Sequence, residues 1–155
     1  MLSLRHCKKC MEHLHILAVF LIHTDISDIC DRRCIGHFNE IREEAVQLLK
    51  HISEMELNEI VAAVKNISVY KLEITDYLDI IMIWYRDVLL YKATKEIDKV
   101  VFKDQLQSIK EQARKSSYEG IELILESLEK AKARLKANVN FDLVMELLFL
   151  TIKEN

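Results

Sequence analysis

The sequence predicts an all-α fold, a compact bundle of about five to seven helices. Two observations carry that expectation. The chain of 155 residues holds no proline and only two glycines, Gly36 and Gly120, where average usage is roughly 5% and 7%. Hairpins and sandwiches need those residues at their turns, and helices are weakened by them. The second observation is that apolar residues recur at spacings of three and four over most of the chain, the period of one helical face.

The elements follow in order. "HFNEIREEAVQLLKHI" places Phe38, Ile41, Ala45, Leu48, Leu49 and Ile52 on one face. Ser53 and Glu56 then stand as S-x-x-E, the capping box in which each side chain satisfies a backbone N–H of a new helix. That helix turns Leu57, Ile60, Val61, Val64 and Ile67 inward and ends near Tyr70. Thr75 is the expected cap of "DYLDIIMIWYRDVLLYKAT", which is apolar over much more than one stripe and is expected at the centre of the bundle. A polar stretch from Lys95 to Lys99 leads to a shorter helix from Phe102 to Arg114. Ser116 and Glu119 repeat the S-x-x-E signal ahead of a seam of Ile121, Ile124, Leu125, Leu128, Ala131 and Leu135. Asn138 and Asn140 punctuate next, because asparagine accepts both the left-handed position that ends a helix and the cap that starts one. The last helix begins at Phe141.

Length and charge bound the function. A chain of 155 residues suits one main domain. Half the residues are apolar and 30% are charged, a balance that argues against disorder. The net charge is −3 with both signs interleaved, so no basic face for direct nucleic-acid contact is expected. The longest apolar run, Leu14 to His23, is about half a membrane span and is preceded by interrupting Glu12 and His13. No membrane association is expected, and the expected location is the cytoplasm.

Only the first 37 residues look compositionally foreign, and they hold all four cysteines: Cys7, Cys10, Cys30 and Cys34. Two close pairs of thiolates could hold a tetrahedral zinc. The bland alternative is reduced thiols in a reducing compartment. Glu12 and His15 form one E-x-x-H, but di-metal bundles need a second copy, which the chain lacks. No phosphate-binding glycine loop and no nucleophile motif occur, so neither catalysis nor a cofactor is expected. The charges of "EKAKARLKAN" flank the apolar seam and read as a solvated face or a subunit contact.

Two stretches point to a partner. In "MIWYRDVLLYK", Trp84, Val88 and Tyr91 share one side, while Arg86 and Asp87 interrupt a greasy helix. Trp, Tyr and Arg are enriched where proteins meet, so Trp84, Arg86 and Tyr91 are candidate interface residues, beside the plainer reading of a core tryptophan next to a surface arginine. Along the final helix Val144, Leu147, Leu148, Phe149 and Ile152, with Leu143, Met145 and Leu150, spread more widely than one core needs. The expectation is that another chain covers part of it.

These residues resemble a family. "YLDIIMIWYRDVLLYKAT", followed by "ILESLEKAKARLKANVNFDLVMELLFLTIKE", is similar to the carboxy-terminal domain of the delta-prime subunit of bacterial DNA polymerase III. Trp84 to Leu89 carry its W-[YF]-R-D helix, and Arg134, Asn138, Asn140 and Leu143 carry its N-x-N ending. The resemblance implies a non-catalytic collar domain over residues 38–155 that joins matching domains of other clamp-loader subunits. Trp84, Arg86, Tyr91, Arg134, Asn138, Asn140, Val144, Leu147 and Leu148 would then be its partner-binding residues; self-association of the isolated domain is compatible with this reading and does not by itself decide it. The nucleotide-binding-type fold of the family is unmatched here, and residues 1–37 read as a remnant of truncation or frame change. Two rivals stand beside this: a small helical metal-binding protein using the early Cys and His residues, and a stand-alone homodimer.

Overall fold

The structure, a computed structural model, describes residues 35–155, with side chains from Asn39 onward. Cys7, Cys10, Glu12, His15, Cys30 and Cys34, and the side chain of Phe38, lie outside the described residues. Six α-helices make up the described chain: α1 (Ile35–His51), α2 (Leu57–Ile67), α3 (Ile74–Thr94), α4 (Leu106–Lys115), α5 (Tyr118–Lys136) and α6 (Phe141–Glu154). Two single 3-10 turns, Ser68–Tyr70 and Lys103–Gln105, precede α3 and α4. No strand occurs among the described residues, so the all-α expectation holds.

Helix α3 is the axis of the domain, as its broad hydrophobicity predicts. It packs against α1, α4 and α5, while α6 lies against α5 and α2. Twelve of its residues are buried, from Tyr77 to Leu90, and they point in every direction around the helix. Only a helix with neighbours on all sides can be apolar all round.

Four helix starts differ from expectation, each for a local reason. The box that opens α2 is built on Glu56 and Glu59, not on Ser53: the Glu59 carboxylate accepts the Glu56 N–H at 2.6 Å. Ser53 falls in the turn that closes α1, where the Glu54 N–H donates to the His51 carbonyl. Glu73, not Thr75, precedes α3, because a turn donating the Glu73 N–H to the Tyr70 carbonyl brings the chain straight into the next helix. Acidic Glu73 and Asp76 there complement the positive end of the helix dipole. The cap of α5 is Ser117, whose hydroxyl oxygen accepts the Gly120 N–H at 2.8 Å; Ser116 is spent closing α4, its N–H donating to the Gln112 carbonyl. Finally, α4 starts at Leu106 behind a 3-10 turn instead of at Phe102. Leu57 and Val61, expected inward, are 63% and 38% exposed, because the face of α2 that meets α6 is the one carrying Ile60, Val64 and Ile67.

Gly120 permits a close approach. A Cβ there would stand 3.1 Å from an Asn155 main-chain oxygen and from Ser117 Oγ, and 3.2 Å from the Asn155 Cβ, so a side chain at this position would require the end of α6 or the Ser117 cap to shift by a few tenths of an ångström.

The α5–α6 connection follows the asparagine rule closely. Asn138 takes a left-handed φ of 57°, its N–H donates to the Leu135 carbonyl, and the Val139 N–H donates to the Arg134 carbonyl. This is a Schellman ending, which satisfies carbonyls the helix leaves bare. Asn140 then caps α6, its Oδ1 accepting the Leu143 N–H at 3.1 Å, a contact of about 1 kcal/mol.

Candidate partner-binding surface

The nine predicted partner residues separate into two groups. Trp84, Arg86 and Tyr91 sit on α3, and Arg134, Asn138, Asn140, Val144, Leu147 and Leu148 sit on the α5–α6 hairpin.

The α3 group is mostly internal. Trp84 is 0% exposed, and its indole N–H donates to Gln112 Oε1 of α4 at 2.8 Å. The other end of the Gln112 amide donates to the Tyr85 hydroxyl at 2.9 Å, so one glutamine ties two buried aromatic rings of α3 to α4. The Trp84 ring also meets Phe102 edge-on at 5.4 Å between centroids. Trp84 is therefore a core residue, and its expected interface role is corrected: the indole is wholly enclosed, and the Asp87 that interrupts the apolar helix beside it is held inside by its own partners. Asp87 is the clearest case. Its buried Oδ2 accepts the N–H groups of Val101 and Phe102, both at 2.8 Å, and Oδ1 faces the Arg86 guanidinium at 3.3 Å. Burial pushes the Asp87 carboxyl up from its ordinary value, while the Phe102 and Val101 N–H groups and Arg86 hold it down. The W-Y-R-D run is thus a device that pins α4 and the strap at 101–102 to the central helix. Tyr91 is half-buried, with the ammonium groups of Lys95 and Lys110 at 5.0 and 5.8 Å from its ring.

The hairpin group does present a surface. Between α5 and α6 lies a groove of about 200 Å³ lined by Ser127, Lys130, Ala131, Arg134, Val144, Leu147, Leu148 and Thr151. Four of the predicted residues, Arg134, Val144, Leu147 and Leu148, meet there. Val144 and Leu148 are its floor, 3% and 1% exposed, whereas Leu147 and Leu143 stand at 51% and 63%. The expectation of a broad uncovered perimeter is corrected accordingly: Val144, Met145, Leu148, Phe149 and Ile152 are enclosed by the chain's own helices, and the apolar surface left over on α6 is the exposed Leu143–Leu147 stripe, one helical turn long, with Leu150 half-buried. Asn138 and Asn140 are exposed, and their backbone and cap geometry shapes the turn at the end of the groove.

Two neighbouring leucines give a direct check on this division. Leu148→Ala is expected to cost about 3 kcal/mol in urea unfolding, and Leu147→Ala no more than about 0.5 kcal/mol. Equal losses at the two positions would mean that the exposed stripe is packed in solution.

Ser127 and Thr151 were not singled out in the sequence, whereas Lys130 belongs to the charged EKAKARLKAN stretch read there as a solvated face or a subunit contact. The signal was present in the spacing of Ser127, Lys130 and Arg134, which puts them on one stripe of α5. Gln112 had no such signal, since nothing local marks the residue that will meet Trp84. Among the described residues no group of three or more His, Cys, Asp or Glu side chains is placed to hold a metal ion, and no helix is long and apolar enough to cross a membrane.

The described chain is thus an all-helical domain built on a W-Y-R-D clamp and an N-x-N hairpin. Residues 37–154 match the family described as "DNA polymerase III, delta subunit, C terminal", and the chain belongs to that family. In particular, it is similar to DNA polymerase III subunit delta' of Bacillus subtilis (strain 168), with 38% identity over 77 residues that make up 50% of this chain and 23% of that protein. The aligned part thus spans under a quarter of the relative. No solved structure matches.

Proposed function

We propose that residues 38–155 form a non-catalytic assembly domain of a cytoplasmic clamp loader of the DNA polymerase III type, in a delta-prime-like position, and that the chain joins other clamp-loader subunits through this domain. The single observation that carries the reading is the family match over 37–154, which spans both the W-Y-R-D clamp and the grooved hairpin. The geometry supports it. The clamp ties α4 and the strap at 101–102 to α3, and the α5–α6 hairpin offers an apolar stripe beside a cation, the composition of a protein contact.

Mixing the full chain with the remaining clamp-loader subunits and following it by size-exclusion chromatography tests the proposal. The chain is expected to co-migrate with them. Elution of the chain apart from them at every concentration would overturn the assembly role, and a dimer indifferent to the other subunits would favour the stand-alone reading.

A further inference from the structure

Building on the assembly role, we infer that the α5–α6 groove is the docking site for an amphipathic helix of a neighbouring subunit that carries a carboxylate opposite Arg134. Size excludes the simplest rival. A groove of about 200 Å³ falls below the roughly 300–1,000 Å³ of pockets that bury a small-molecule ligand, and matches one or two apolar side chains inserted from a helix. Its floor is apolar, formed by the buried Val144 and Leu148, and the exposed Leu147 forms its lip.

Charge selects the occupant. The lining holds two cations, Lys130 and Arg134, and no carboxylate. Lys130 is neutralised in place by Glu126 at 3.0 Å. The exposed guanidinium of Arg134 has neither a hydrogen bond nor an ion pair among the described residues, while its backbone carbonyl is fixed by the Schellman turn. An arginine held by a rigid helix end beside an apolar floor is suited to a carboxylate, which it can meet with two parallel N–H bonds. A second copy of this chain is the poorer fit. Two-fold pairing centred on the groove would bring Arg134 of one copy up to Arg134 of the other with no carboxylate in the lining to separate them, placing like charges in a desolvated contact.

Three variants of the full chain test the docking site against the remaining clamp-loader subunits. Arg134→Glu and Leu147→Glu are expected to weaken association by about tenfold or more each, and Lys103→Glu, a matching charge reversal at an exposed position on the α3–α4 connection, to leave it unchanged. All three residues are exposed, so circular dichroism melting should show folded proteins. Wild-type affinity should fall as salt is raised, and that salt dependence should diminish in Arg134→Glu. If the wild-type chain assembles and both groove variants assemble equally well, the docking site is overturned and the assembly role stands. If the wild-type chain does not assemble at all, the assembly role falls and takes this inference with it. If Leu147→Glu abolishes only a self-association seen in the ultracentrifuge, the occupant is a second copy and the inference fails.

Discussion

Trp84→Ala is expected to cost about 4 kcal/mol in chemical denaturation, near the upper part of the range for emptying an aromatic core site. The side chain is wholly enclosed, and removal also leaves Gln112 without the indole donor it accepts from. Domains of this size are stable by only about 5–15 kcal/mol, so the variant should be near the edge of folding at room temperature. Trp84→Phe keeps most of the ring and its contact with Phe102 but loses the N–H, and is expected to lose about 1–2 kcal/mol. Far-ultraviolet circular dichroism in urea measures both, since each variant removes the chain's one tryptophan. A Trp84→Ala protein with wild-type stability and weakened subunit binding would return Trp84 to the interface.

Asp87→Ala is expected to cost about 3 kcal/mol, because the N–H groups of Val101 and Phe102 lose their common acceptor and Arg86 loses its counter-charge. Asp87→Asn retains an acceptor oxygen and should lose about half as much. The two variants also differ from the wild type in pH response. The folded carboxyl titrates above its ordinary value, so the folded state binds the proton more tightly than the unfolded chain does. The stability this group contributes is therefore greatest below the unfolded value of about 4 and declines as pH rises through the window above it, until the folded value is passed. Urea midpoints taken from acid to neutral pH should show that decline in the wild type and its loss in Asp87→Asn. Superimposable profiles would mean that Asp87 is better solvated than its enclosure implies.

How far the sequence could be read depended on whether a feature was local. The helical class, the central place of α3 and the start of α6 at Phe141 were legible, since each rests on period or on a side chain capping its own helix. Asn138 and Asn140 show this well: a left-handed residue and an acceptor at the cap are requirements of adjacent backbone atoms. The serine caps misled because Ser53 and Ser116 are local signals with equally good competitors one to three residues away, and tertiary packing chooses among them. Trp84 was harder. Its partner Gln112 lies on another helix, and nothing in the run itself separates a Trp, Tyr and Arg that meet a partner from ones that pack inward. The last helix was over-read for the same reason. Periodicity shows how wide an apolar arc is, but α2 and α5 flank α6 on two sides, and only a tertiary arrangement reveals that.

The four residues between α5 and α6 make the contacts of that pair short-range in the chain. Bringing the two helices together therefore sacrifices little polymer freedom, and low separation along the backbone favours fast folding. The pair should zip early, ahead of the distant coupling between α1 and α3, and keep the groove between its helices formed even while the rest of the bundle breathes. Hydrogen exchange would register this as slower amide turnover in the α5–α6 pair than in the ends of α1.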